Sequence, residues 1–362
     1  MDGSAFLLAA IVGYETGPRV GLGVYGGDVL SRGWHSGAIF GPAAAAAAAS
    51  KLLQLPADVV EDAIGIACTQ AGGLMSAQYE STVKRMQHGF AARNGLLAAL
   101  MARSEYIGIK QVLERPYGGF LSTFSLGNGR NPAYQPERVV EGLGSTWEID
   151  QIVVKPYASM AATHGTIDCI IALQKKYSVE ISDLKKIRRI TVEMSGPAFK
   201  KGGWVPKRPL TVTGAQMSCI YAATMQLLDG QVQPAQFAPS QLERDEVWTL
   251  ISKIQCVHNA DFDENAVAAW QQRIHLELEV NECREGKTLT ELIPAPRGNI
   301  VPLSNDEILA KWRHTTQGVI DAERQAAIET IVLRLEEVDN MAQLAQLLFD
   351  RTANVLDAVD IL

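Results

Sequence analysis

The chain has 362 residues, 47% of them hydrophobic and 20% charged, with a formal net charge of -7 at pH 7. That suits a large core in two lobes and an ordinary enzyme composition, and it argues against nucleic acid or an anionic membrane as partner. Five cysteines (68, 169, 219, 256 and 283) form no CxxC pair, which excludes a zinc ribbon or a disulfide framework and fits free thiols in a reducing, cytoplasmic setting.

In chain order, residues 4–30 read as an apolar helix interrupted near Gly17-Pro18, followed by a glycine-rich passage. Its run Phe6 to Val12 is too short to span a bilayer and lacks a basic lead-in, so it belongs to a buried helix rather than a membrane anchor. Beginning inside so apolar a run, without a polar cap, implies packing partners that precede it. Residues 42–103 then read as three helices, with Pro56 and Gly72-Gly73 as breaks. His35 lies between glycines just ahead of Pro42, a residue suited to a helix's first turn. Lys84 and His88 are four apart and share a helical face. The Ala and Gly that lace these helices let backbones approach closely. Residues 105–141 hold a short helix and an aromatic, glycine-rich loop, RPYGGFLSTFSLGNGRNP.

The texture changes near residue 150. QIVVKPY reads as a short strand, THGTIDCIIALQKKY as a helix and KKIRRITVEMSG as a strand. Helices are expected over 212–230 and about 240–255. RIHLELEVNE alternates and pairs with GKTLTELIP as a hairpin. Ser304 with Glu307 three residues on forms a capping box, and the tail from 306 is helical. The expected organisation is a helical domain over 1–150, an α+β lid over 151–305, and C-terminal helices over 306–362 that complete the helical domain. His258, His275 and His314 read as surface residues without partners, and ADFDEN as a solvated loop, since it lacks the glycine and final glutamate of a calcium loop.

The motifs GWHSG…GPAAAAAAASKLLQL and VKRMQHGFAARNG, with AAIVGYETGPRVG, GIACTQAGGLMSAQYE and QVLERPYGGF, resemble the MmgE/PrpD family. Within it they are most similar to fungal members that decarboxylate cis-aconitate to itaconate; other members dehydrate 2-methylcitrate or epimerise iminodisuccinate. The resemblance implies a mainly α fold, a large helical domain built from both chain ends with an inserted α+β lid. It also implies a homodimer, a small polycarboxylate substrate, and catalysis with neither metal nor organic cofactor. The lack of clustered cysteines separately argues against an iron–sulfur cluster.

Carried over by motif, the resemblance places the family's active-site histidine on His35 and its substrate-contacting lysine on Lys84. The lid pattern K-x-y…H-x-x-x-D falls on Lys155 and His164, and the polar residue of the late loop falls at or near Arg297 in APRGN. Where members often have histidine three residues after the lysine, this chain has Gln87, with His88 next. His35, Lys84 and His164 are therefore the candidate catalytic groups, and Lys155, Arg297, Gln87 and His88 the candidate substrate-binding groups. Full-length members also carry an Asp/His-rich segment before the point where this chain starts.

The chemistry fits those residue types. Several cations on a polycarboxylate supply charge-assisted hydrogen bonds, and a histidine supplies a group that moves a proton near neutrality. Loss of carbon dioxide leaves electron density conjugated into a carboxylate, which placed cations stabilise. A 2-alkylcitrate dehydratase would use the same parts to remove a proton and expel hydroxide, and a homologue without turnover stands as a further alternative.

Overall fold

A computed structural model describes residues 1–178, 182–265, 267–279, 286–298 and 300–354; Cys283 and the end of the RIHLELEVNE segment lie outside the described residues. The fold is mainly α, with one mixed four-stranded sheet. The described residues divide into two compact units, with 1–77, 82–152 and 326–350 in the first and those of 78–81, 153–325 and 351–354 in the second. Residues 306–325 group with the second unit, in which Glu307 of this stretch pairs with Arg297. Among the described residues no helix is long and apolar enough to cross a membrane.

Numbering only helices of eight residues or more, the first unit contains α1 (Gly3–Gly23), α2 (Ser36–Leu52), α3 (Ala57–Cys68) and α4 (Val83–Arg103). α1 does have a polar cap, since the Asp2 carboxylate accepts the Ala5 N–H at 2.7 Å. It also runs unbroken through Pro18. The alanine run of α2 has a steric cause. A Cβ placed on Gly13 or Gly17 of α1 would lie 3.2 Å from Ala48 Cβ or 3.3 Å from Ala44 Cβ. On α4, a Cβ on Gly95 would lie 2.4 Å from Ala45 Cβ and 2.6 Å from both Ala46 N and the Pro42 carbonyl. α2 is gripped between two helices, and only small side chains fit where they touch.

Pro42 is not in the first turn, as the sequence suggested, but inside α2, which starts at Ser36. A proline there removes the donor for the carbonyl four residues back. That carbonyl, of Ala38, instead accepts the Gly72 N–H at 3.3 Å, so the break after α3 supplies the missing bond.

The second unit holds α5 (His164–Lys176), β1 (Ile187–Met194), α6 (Cys219–Asp229), β2 (Ile254–His258), β3 (Gln272–Glu279), β4 (Gly286–Ile293) and α7 (Asn305–Thr316). The sheet order is β2-β1-β3-β4, with β1 and β2 parallel and the other pairs antiparallel. The expected β3–β4 hairpin is present, with Leu276 opposite Leu289, and β3 buries alternate residues Ile274, Leu276 and Leu278. α5 packs on β3 and β4, and α6, buried nearly all round, packs on α5. Two expectations fail. Residues 151–157 form no strand, and the helix expected to reach residue 255 ends at Ile251, so that Ile254–His258 pairs with β1 as β2. The Ser304–Glu307 capping box forms in both directions at the start of α7. Two further helices follow, α8 (Ala322–Val332) and α9 (Ala342–Phe349). Beyond α8, the first unit's end of the chain docks on α1's start, where the Gly3 N–H donates to the Val338 carbonyl at 2.7 Å.

Candidate functional site

In the first unit, the turn before α2 is pinned to the segment after α3. The His35 N–H donates to the Gly73 carbonyl at 3.0 Å and the Met75 N–H to the Gly33 carbonyl at 2.8 Å. This sets His35 as the N-cap of α2, its Nδ1 accepting the Ala38 N–H at 3.2 Å. Its Nε2 lies 2.7 Å from Lys84 Nζ, with His35 4% and Lys84 7% exposed. The capping role and the contact with Lys84 are thus served by one ring.

Lys84 and Gln87 lie on the buried stripe of α4, at the spacing of one helical turn. Gln87 donates Nε2–H to the Leu74 carbonyl at 3.0 Å, and its buried Oε1 has no hydrogen-bond partner among the described residues. The His88 ring meets His35 edge-on, centroids 4.7 Å apart, over Gly37, where a Cβ would come within 2.4 Å of it. Burial first, then the positive charges of Lys84, His88 and Arg85, push the His35 pKa down to about 4. At neutral pH the ring is uncharged, so with Nδ1 accepting from Ala38 its single N–H is on Nε2, facing Lys84 Nζ.

The second unit gathers Lys155, Tyr157, His164, Asp168 and Arg297. His164 opens α5 fully buried, and neither ring nitrogen has a hydrogen-bond partner among the described residues. Burial, then the positive charge of Lys155, lowers its pKa to about 4, with Lys311 adding a smaller push and the backbone of Arg297 and Ser159 opposing. Tyr157 packs edge-on against the His164 ring at 5.2 Å. Its hydroxyl donates to Asp168 Oδ1 at 2.5 Å, and the Arg297 N–H donates to Asp168 Oδ2 at 2.8 Å. One carboxylate thereby ties together the 155–157 segment, α5 and the APRGN loop. Gly298 has φ +69°, and a Cβ there would lie 2.2 Å from Pro156 Cδ, so the loop reaches that segment only with glycine at this position. Lys155 Nζ is 3.4 Å from the Ser159 carbonyl, and the exposed Arg297 guanidinium pairs with Glu307.

The candidates thus fall into two constellations, His35 with Lys84, Gln87 and His88 in one unit and Lys155 with His164 and Arg297 in the other. Tyr157 and Asp168 were not singled out from sequence, although they occupy the tyrosine and aspartate of the K-x-y…H-x-x-x-D pattern. Two histidines read as partnerless have partners: His258 lies 2.5 Å from Asp263, and His275 lies 3.0 Å from Glu193. Among the described residues no group of three or more His, Cys, Asp or Glu side chains could hold a metal ion.

A buried histidine touching a buried lysine, beside an alanine-packed helix, and a second buried histidine with lysine and arginine near it define a protein built to meet an anionic small molecule with proton-moving and cationic groups. Residues 1–132 match the MmgE/PrpD N-terminal domain and residues 157–337 the MmgE/PrpD C-terminal domain, and the chain belongs to this family. It is 50% identical over 351 residues to the cis-aconitate decarboxylase-like protein oryM of Aspergillus oryzae, covering 96% of this chain and 72% of that protein. It is 44% identical over 353 residues to a cis-aconitate decarboxylase of Aspergillus terreus, with 96% and 71% covered. The human cis-aconitate decarboxylase is 26% identical over 355 residues, with 96% and 69% covered.

Proposed function

We propose that the chain is a carboxy-lyase that decarboxylates cis-aconitate to itaconate, with His35, Lys84 and His164 as catalytic groups. The observation that carries this reading is the buried His35–Lys84 contact at 2.7 Å, in a chain whose fungal relatives bear the decarboxylase name. In the proposed reaction one carbon–carbon bond breaks and carbon dioxide leaves. The electron pair shifts through the allylic system toward a remaining carboxylate, and one proton adds to carbon. Cations lower the barrier by stabilising that developing charge. Lys84, Lys155 and Arg297 are assigned to substrate carboxylates, and a histidinium is assigned to deliver the proton. Burial first, and then the positive charges of Lys84, His88 and Arg85, hold His35 neutral; a bound polyanion offsets the second of these, which favours uptake of a proton by the ring. Gln87 and His88 are assigned to binding and orientation. We further propose a cytoplasmic homodimer. The hydro-lyase and the non-catalytic alternatives have no comparable support in the names of the relatives.

The test is a proton NMR time course with cis-aconitate. The wild type is expected to produce the vinylidene signals of itaconate, and His35→Ala to slow the reaction by about 100-fold or more. Silence from the wild type, with water lost from 2-methylcitrate instead, would overturn the decarboxylase in favour of the hydro-lyase.

A further inference from the structure

Within the second unit, α7 carries Lys311 to the wall of a cavity of about 270 Å³ that Pro156, Gln233, Arg297, Glu307 and His314 also line. The charges around it do not balance. Glu307 is engaged twice: one carboxylate oxygen takes the Arg297 guanidinium, while the other accepts the Ser304 N–H at 2.8 Å and its hydroxyl at 3.1 Å. Lys311 lies one helical turn further along the same helix, and its side-chain amine has no carboxylate or hydrogen-bonding partner among the described residues. It is half-buried, and burial lowers its pKa. Its charge also reaches His164. A cation drawn partly out of water without a counterion is unfavourable, and a bound anion removes the penalty.

We propose that this cavity is a carboxylate-binding site anchored by Lys311, with Gln233 and His314 as its hydrogen-bonding groups. Its volume is near the lower end of small-molecule pockets, which suits a short carboxylic acid or one arm of a longer one. Arg297 is a weaker anchor because its charge is already matched by Glu307. The carboxylate has two possible sources, the substrate itself or a second small acid. The identity of the first rests on the function proposed above; the site does not.

The experiment is calorimetric titration of the full chain with citrate, comparing wild type, Lys311→Gln and Lys311→Arg, with thermal unfolding of each as a folding control. Loss of one charge-assisted contact is expected to weaken citrate binding by roughly 10- to 100-fold in Lys311→Gln, while Lys311→Arg retains most of it. If the wild type binds one citrate and Lys311→Gln weakens that single site while raising KM for cis-aconitate, the carboxylate belongs to the substrate. If the wild type binds two and Lys311→Gln loses one with KM unchanged, it belongs to a second acid. Equal affinity and stoichiometry in wild type and a folded Lys311→Gln, or no citrate binding to the wild type, would overturn the proposal. Citrate binding that depends on Lys311 in a chain that makes no itaconate would overturn the decarboxylase reading and leave the site standing.

Discussion

His35 and His164 are both neutral near pH 7 because each is buried beside positive charge, and that state couples stability to acidity. Their folded pKa values of about 4 lie below the ordinary 6.5, so on acidification the unfolded chain takes up protons that the folded chain refuses. Stability is therefore expected to be insensitive to these two groups above pH 6.5 and to fall as pH drops from about 6.5 to 4. Urea midpoints at pH 7.5 and 5 check this. The His35→Asn/His164→Asn double variant is expected to lose less stability between those two pH values, and an unchanged loss would contradict the assignment. Asp168 gives a second residue-scale expectation. Burial raises its pKa, while the Tyr157 hydroxyl and the Arg297 N–H favour its charged form. Tyr157→Phe leaves Oδ1 without its donor in a buried site and is expected to cost about 1–3 kcal/mol. Chemical denaturation measures that cost. A slower itaconate rate with near-normal KM would show that the network also orients the His164 ring.

Among the elements, α2 sets the geometry of the first unit. It has small residues on both faces because α1 and α4 press on it, and the end of α2 that points at α4 carries His35. Gly→Ala inside a helix ordinarily stabilises by about 1 kcal/mol. At Gly95 the new Cβ would instead meet Ala45 and the backbone of Ala46 and Pro42 at 2.4–2.6 Å. Gly95→Ala is thus expected to destabilise by about 1–3 kcal/mol, read from the urea midpoint. A stabilised variant would mean that the α2–α4 spacing can give way. In the second unit the comparable element is α5, whose Ile167, Ile170 and Leu173 are fully buried while its first turn presents His164. Packing of one face holds the catalytic candidate on the other end of the same rigid helix.

At the scale of the whole molecule, α1 exposes Phe6, Leu7 and Leu8, and α4 exposes Met86, Phe90 and Leu97. A second copy of the chain covering such side chains is what the proposed homodimer would provide. Light scattering on the purified chain is expected to give a mass of twice 39.2 kDa. A monomer mass at micromolar concentration would remove the dimer. The formal net charge of -7 gives the protein as a whole no attraction for a trianionic substrate, so the proposed function leaves its capture to local cations, for which Lys84 and Lys155 are the assigned groups.

Much was legible in the sequence because it is written in local rules. The Ser304–Glu307 capping box, the alternation of β3, the Pro56 break and the i, i+4 pair Lys84–His88 each depend on residues within a turn or two of one another. The helical and α+β textures followed from those periods, and the long motifs carried the family. What the sequence withheld depends on segments that meet only after folding. Pro42 sits inside α2 because Gly72, thirty-odd residues away, supplies the bond that proline forfeits. Ile254–His258 is a strand because β1 offers it an edge, whereas QIVVKPY, with similar composition, finds no strand to pair with. His275 has a partner because β1 brings Glu193 across the sheet to it. Likewise Lys311 stands beside a cavity with no counterion among the described residues, because Glu307, its neighbour on the helix, is already taken by Arg297 and Ser304. A side chain's charge state and free bonding capacity are set by everything packed around it, and that is decided in three dimensions.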